Sequence, residues 1–256
     1  MKQWQSCPVC NSSYTVYLQD VIGTRTGNNI PQFVCMDCRS FFNFSGYRES
    51  DDQQKFDFTY LVDHREHISK LQNQLALELK NKLPSVGSCC EIGYGIGLFL
   101  KACTYLGIKE YGFEVNPYAA KYARETVAVD CEEGVFGEEH TATYDLFAAI
   151  GVFEHIEQPR ALFGLMRRRL NRDGAIYISV PFVERRDWPY LWDADKRPGS
   201  APPDPFYDND VHIIHYSIDG LTRLGMSFGA REAEFFVSKD VVSNSPGAYP
   251  GILFRF

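Results

Sequence analysis

The first residues with obvious chemistry are cysteines. They occur as two C-x-x-C pairs, Cys7-Pro8-Val9-Cys10 and Cys35-Met36-Asp37-Cys38. A two-residue gap lets both sulfurs of a tight turn face one ion, so two such turns supply the four thiolates of a tetrahedral zinc site. That coordination is closed to substrate, which makes the expected zinc structural. A redox dithiol is the minor alternative. The segment is too small to bury much apolar surface and takes most of its folding free energy from the metal. The other cysteines, Cys89, Cys90, Cys103 and Cys131, read as buried small hydrophobes.

A second pattern begins at Ser88. Ser88 to Ile92 reads as a short buried strand, Gly93-Tyr94-Gly95-Ile96-Gly97 as a glycine loop, and Leu98 to Cys103 as a helix. Glycines let the backbone approach a ligand without a Cβ in the way, and the helix start offers free N–H groups to an anion. A dinucleotide fingerprint would need glycine where Leu98 stands, whereas the third glycine is Gly97. A second acid, Glu114, ends Tyr111-Gly112-Phe113-Glu114 at about the ~20-residue separation that one strand-helix-strand unit produces between a glycine loop and a ribose-binding acid.

The run E-x-G-x-G-x-G from Glu91 to Gly97, with Glu114 after it, resembles the class I S-adenosylmethionine-dependent methyltransferases of small-molecule type. The likeness continues through Tyr144 to Ile150, the turn Glu154-His155 with Pro159, the strand Ala175 to Pro181, and Val211-His212-Ile213-Ile214-His215-Tyr216-Ser217. It implies an α/β fold, a Rossmann-like seven-stranded sheet with helices on both faces, preceded by a small zinc ribbon. It also implies S-adenosylmethionine held by Glu91, Gly93, Tyr94, Gly95, Gly97, Glu114, Val115, Gly151 and Phe153. In that family the loop cradles the methionine part, the second acid accepts from the ribose hydroxyls, and the residues after the third strand, here Cys131 to Phe136, lie beside the adenine. Some relatives hold a divalent metal with E-x-x-E-H at the fourth-strand turn. Here the first acid is Gly151, so a carboxylate ligand is missing and no catalytic metal is expected.

Methyl transfer to a hydroxyl or carbon acid needs a base, and histidine titrates in the right range. The candidates are His212 and His215, with His155 third, each weighed against a purely structural histidine. His64 and His67 lie on a charged helix face and carry no functional weight.

These residues need elements to position them. The expected organisation is a zinc ribbon over 1–45, with a strand around Tyr14 to Leu18 and a turn at Thr26 to Asn29. A linker and leading helix follow over 46–84, polar from Ser45 to Tyr60 and helical from Asp63 to Leu83, where Ile68, Leu71, Leu75 and Leu79 share one face and Pro84 terminates it. The methyltransferase domain covers 85–256. Within it a helix runs to Arg124, a third strand occupies Val127 to Asp130, and a helix spans Arg160 to Leu170 with Arg167 to Arg169 as a solvated face. A tight turn at Asn171 to Gly174 follows, then an aromatic and proline-rich insertion at 182–210 of lid or binding-loop type. A late helix covers Ile218 to Met226, with strands at Glu232 to Ser238 and at the end. The abrupt ending is that expected of a truncated chain.

Composition narrows the function. The 256 residues are 45% hydrophobic and 23% charged, which is the balance of a folded chain. Lys and Arg total 26 against 33 Asp and Glu, and the net charge of -7 argues against nucleic-acid partners. No stretch reaches the ~20 apolar residues of a membrane span, and the first residues lack a signal-peptide core, so the expectation is a cytoplasmic protein. The acceptor implied is a small polar molecule such as a sugar or secondary metabolite. Two other readings compete: an RNA base methyltransferase using the ribbon as a docking unit, and a non-catalytic binding module.

Overall fold

The computed structural model describes residues 6–23, 25–44, 46, 50–183, 210–238 and 249–256. Most of the 182–210 insertion lies outside the described residues. The chain divides into two compact units: residues 1–48, 153–163 and 180–229, and residues 49–152, 164–179 and 230–256.

The second unit is built on seven strands. They are β4 (Ser88–Ile92), β5 (Lys109–Glu114), β6 (Glu132–Glu133), β7 (Tyr144–Ile150), β8 (Leu170–Ser179), β10 (Glu232–Val237) and β11 (Pro250–Arg255), in the spatial order β10-β11-β8-β7-β4-β5-β6. The pairs from β8 through β6 are parallel, and β11 is antiparallel to both β8 and β10. From β4 the order runs one way to β5 and the other way to β7, which places a crevice at their carboxyl ends.

Helices α1 (Asp51–Asp63), α2 (Arg65–Lys82), α3 (Leu98–Tyr105) and α4 (Pro117–Tyr122) accompany this sheet. The apolar face expected of α2 buries Leu71, Leu75, Ala76 and Leu79. With Phe99 and Ala102 of α3, it packs on Cys89, Leu146, Ala148, Tyr177 and Leu253, which alternate along four strands on one face of the sheet. The residues between them, Cys90, Phe147, Ile176 and Phe254, are buried on the opposite face, where Phe113, Phe136 and Phe147 form an aromatic chain at 5.2 and 5.5 Å.

The first unit carries a four-stranded sheet ordered β1 (Thr15–Ile22), β2 (Asn29–Cys35), β3 (Phe41–Asn43) and β9 (Ile214–His215), antiparallel throughout. Its late helix, α6 (Ile218–Ser227), is capped by Ser217, whose hydroxyl accepts from the Gly220 N–H at 2.8 Å. Helix α5 is Pro159–Arg168.

Four expectations are corrected. From residue 51 on, the segment read as a polar linker over Ser45 to Tyr60 is part of helix α1, capped by Ser50 with Asp51 and Asp52 in its first turn. It buries no residue and therefore has no apolar stripe to reveal it. The third strand lies at Glu132–Glu133 rather than Val127 to Asp130, because the chain leaves α4 through a π turn over Ala123–Val127 that ends with Ala128 at φ +58°. Asn171 to Gly174 are absorbed into β8, with a register shift against β7. The Arg167 to Arg169 run is not simply solvated: Arg168 pairs with Glu138, Arg169 donates to the carbonyls of Glu138 and His140, and Arg167 lies over the Phe256 ring. No helix among the described residues is long and apolar enough to cross a membrane.

Leu75 has no exposed surface at the centre of the α2 and α3 packing. Leu75→Ala is expected to cost about 2–5 kcal/mol, the range for emptying a buried leucine site. Urea denaturation of the two proteins checks it, and a loss under about 1 kcal/mol would show that the site collapses around the smaller residue.

Candidate functional site

At the carboxyl end of β4 the chain passes through Gly93, Gly95 and Gly97, all at positive φ. Two of these need glycine for space as well. A Cβ on Gly93 would lie 2.4 Å from Val152 Cγ2, and one on Gly97 would lie 2.9 Å from Val129 Cγ2. Gly97 is also the N-cap of α3 and accepts from the Lys101 N–H at 3.0 Å. The loop is tied to the sheet by the Gly93 N–H, which donates to the Phe113 carbonyl at 2.8 Å.

Parallel pairing of β4 and β5 sets Glu91 opposite Gly112 and ends β5 at Glu114. One Glu114 carboxylate oxygen accepts from the Gly95 N–H at 2.8 Å and the other from the Asn116 N–H at 2.8 Å. The second acid is therefore fixed directly at the tip of the glycine loop. Asn116 caps α4 and donates its side-chain amide to the Gln54 carbonyl of α1 at 2.8 Å. Leu61 of the same helix would be 3.4 Å from a Cβ on Gly95. Sequence reasoning missed α1 as a neighbour of the loop.

Glu91 is 1% exposed, and its Oε2 has no hydrogen-bond partner among the described residues. Burial, reinforced by Cys103 and Glu114, holds its pKa well above the ordinary carboxylate range. A nearby cationic or hydrogen-donating group would satisfy that oxygen and favour the charged form of such a buried carboxyl. Tyr94 is buried, donating to the Glu132 carbonyl at 3.2 Å. Val115 is exposed, and Gly151, at φ +66°, ends β7 with its N–H on the Ser179 carbonyl at 2.9 Å.

The other predicted residues belong to the first unit. The cysteine sulfurs of Cys7, Cys10, Cys35 and Cys38 all lie within 4.8 Å of one another, with Cys7 to Cys38 at 3.8 Å and Cys10 to Cys35 at 3.6 Å. None of the four is in a disulfide. The two knuckles repeat one turn: Asn11 and Arg39, each four residues after the first cysteine, have φ +63° and donate N–H to the carbonyls of Cys7 and Cys35 at 2.9 Å. Ser217 donates its hydroxyl to the Cys38 carbonyl, which ties α6 to the second knuckle.

The three candidate histidines come together. Ring centroids are 4.8 Å apart for His155 and His212 and 6.4 Å for His212 and His215. His215 is buried on β9 opposite Phe41, and His155 Nδ1 contacts the Val211 carbonyl at 2.9 Å. Phe153 is buried edge-on to Phe163. The sequence did not reveal that Glu154 is buried beside these rings, with its Oε2 lacking a partner among the described residues and its carboxyl pushed up to about 8 by burial. Nor did it reveal Gln32 and Asn43, cross-strand partners that bury unpaired amide atoms, although Asn43 Nδ2 donates to the His212 carbonyl at 3.3 Å.

A raised folded-state pKa means that the folded chain keeps a proton the unfolded chain releases. The stability Glu91 contributes is thus present below about pH 4.5 and is lost as pH rises. Glu154 adds a slope of the same sign up to about pH 8. Glu91→Gln should therefore melt at a higher temperature than the unsubstituted chain at pH 8 and show a shallower fall between pH 5 and 8. Equal slopes in thermal melts would mean that Glu91 does not hold its proton.

A family model described as a methyltransferase domain matches residues 63–230. No curated protein matches the sequence. Among solved structures, human N-acetylserotonin methyltransferase in complex with SAM superposes with a TM-score of 0.54 at 19% identity, over 80% of this chain and 56% of that one. The plantazolicin methyltransferase BpumL in complex with SAH gives 0.59 at 13%, over 80% and 90%. SAM-bound CalS10, an amino pentose methyltransferase from Micromonospora echinaspora, gives 0.55 at 13%, over 77% and 96%. At these identities the likeness is one of fold. The glycine loop, the two acids, the strand order and the family match agree: this chain belongs to the methyltransferase-domain family and has the class I S-adenosylmethionine-dependent methyltransferase fold.

Proposed function

We propose that this protein transfers a methyl group from S-adenosylmethionine to an oxygen, carbon or nitrogen of a small polar acceptor, with a sugar or secondary metabolite as the preferred class. The observation that carries the reading is the Glu114 carboxylate bonded to Gly95 N–H at the tip of a positive-φ glycine loop, with the orphaned Glu91 carboxylate at its base. When bound, the cofactor supplies an electrophilic methyl on a sulfonium that is already a good leaving group. Glu91 accepts from the cofactor's ammonium group. Glu114, held in place by the Gly95 and Asn116 N–H groups, accepts from the ribose hydroxyls with its remaining lone pairs. Positioning then supplies much of the rate.

Where the acceptor is a hydroxyl or carbon acid, a histidine takes its proton as the new bond to methyl forms. His212 or His215 is the proposed base, with His155 third. Their gathering in one place supports this role. The acidic charge balance supports a small-molecule acceptor over RNA, and the amino pentose named for CalS10 is consistent with a sugar.

The four thiols fit a structural zinc. Zn–S bonds of about 2.3 Å in a tetrahedron place sulfurs about 3.8 Å apart, and the observed pairs are at 3.6 and 3.8 Å. Cys7, Cys10, Cys35 and Cys38 would hold the ion and fix the ribbon.

Calorimetric titration with S-adenosylhomocysteine is expected to show micromolar binding, with none for NADH. Glu114→Gln should weaken it by roughly 10-fold or more, the worth of a hydrogen bond to a charged group. No binding to the folded chain would overturn the donor assignment, and strong, salt-sensitive RNA binding would overturn the acceptor class.

Turnover gives a separate check on the base. His212→Ala or His215→Ala should lower kcat by at least about tenfold with S-adenosylhomocysteine affinity unchanged. If neither does, general-base catalysis by these residues is wrong.

A further inference from the structure

We propose that Glu154, His155 and His212 bind a divalent first-row transition-metal cation, at a site separate from the four cysteines. One ligating atom from each of the three side chains lies within 4.8 Å of the others. Two imidazoles and one carboxylate are a donor set suited to zinc, iron, nickel or manganese. The sequence argued against a metal here because Gly151 replaces an acid in the turn. The fold supplies the third donor instead from His212, far along the chain, which arrives just before β9.

Two further observations point to a ligand. Glu154 is 3% exposed, and its Oε2 is buried with no partner among the described residues, an arrangement that is unfavourable unless something binds it. His155 places Nδ1 at 2.9 Å from the Val211 carbonyl. Donation there puts the proton on Nδ1 and the lone pair on Nε2, the tautomer and outer support that metal-ligating histidines ordinarily show. The His212 backbone is held in turn by Asn43, whose amide donates to its carbonyl.

Three protein ligands leave coordination positions open, unlike the closed cysteine site. An acceptor oxygen bound there would have its pKa lowered, and the proton-accepting role would fall to His215. That use rests on the methyl-transfer reading, whereas metal binding itself does not.

Cobalt titration of the full chain separates the two sites. Thiolate ligation produces intense near-ultraviolet sulfur-to-metal charge transfer, and a nitrogen and oxygen site produces only weak visible bands. The expected result is two equivalents, the second without charge transfer and weakened at least tenfold in Glu154→Gln and His212→Ala. Circular dichroism and S-adenosylhomocysteine affinity report whether the variants fold. His155→Ala, at an exposed position, repeats the test if the Glu154 variant does not. A single equivalent with full charge transfer would overturn the proposal. So would a second equivalent that persists unchanged in the folded variants, or one lost equally in His64→Ala on the exposed helix end. Failure here, with S-adenosylhomocysteine still bound, leaves the methyl-donor reading intact.

Discussion

The hydrogen bond from the Gly95 N–H to the Glu114 carboxylate is the contact that joins the glycine loop to the end of β5 and on which the proposed cofactor site depends. It exists because β4 and β5 are parallel neighbours in a register that ends both strands at one edge. Glu91 and Glu114 are far apart along the chain, yet this register puts one acid at the base of the glycine loop and the other at its tip. The positive φ angles at Gly93, Gly95 and Gly97 turn the loop back over that edge, and Val152 and Val129 leave no room for side chains at the first and third positions. Loss of the register would move Glu114 to another row and dissolve the site while every residue in the motif remained.

The first unit rests on a different physical basis. Its four-stranded sheet is small and exposes Tyr17 and Ile22. It is organised around two knuckles of the same turn whose four sulfurs lie within 4.8 Å of one another. Ser217 fastens α6 to the second knuckle, and β9 extends the same sheet from a segment near the other end of the chain. Residues in and just before β9 thereby inherit their positions from the sheet that carries the second knuckle, and His215 and His212 are among them.

Both units retain a buried carboxyl with an oxygen that has no partner among the described residues, Glu91 in one and Glu154 in the other. Desolvation of an acid is a cost that a stable fold sheds unless the group does something. Their locations differ in a telling way. Glu91 lies next to the end of β4, just before a glycine loop whose Gly93, Gly95 and Gly97 N–H groups are bonded to Phe113, Glu114 and Tyr94. Glu154 sits in a single 3-10 turn among imidazoles, a setting for a metal ion.

Much of this was legible in the residues alone. Glycine spacing and the paired cysteines announce tight turns because each depends on local backbone geometry, which nearby sequence dictates. The apolar face of α2 was legible for the same reason, its 3.6-residue period being a local property. Helix α1 escaped because it buries nothing, and β6 was displaced because a π turn consumed the residues that looked like a strand. What only tertiary structure decided was the company each functional group keeps: Glu114 on the loop tip, His212 with Glu154 and His155, β9 beside β3. Those pairings join residues separated by long stretches of chain, and strand register and the convergence of the thiols, rather than local propensity, bring them together.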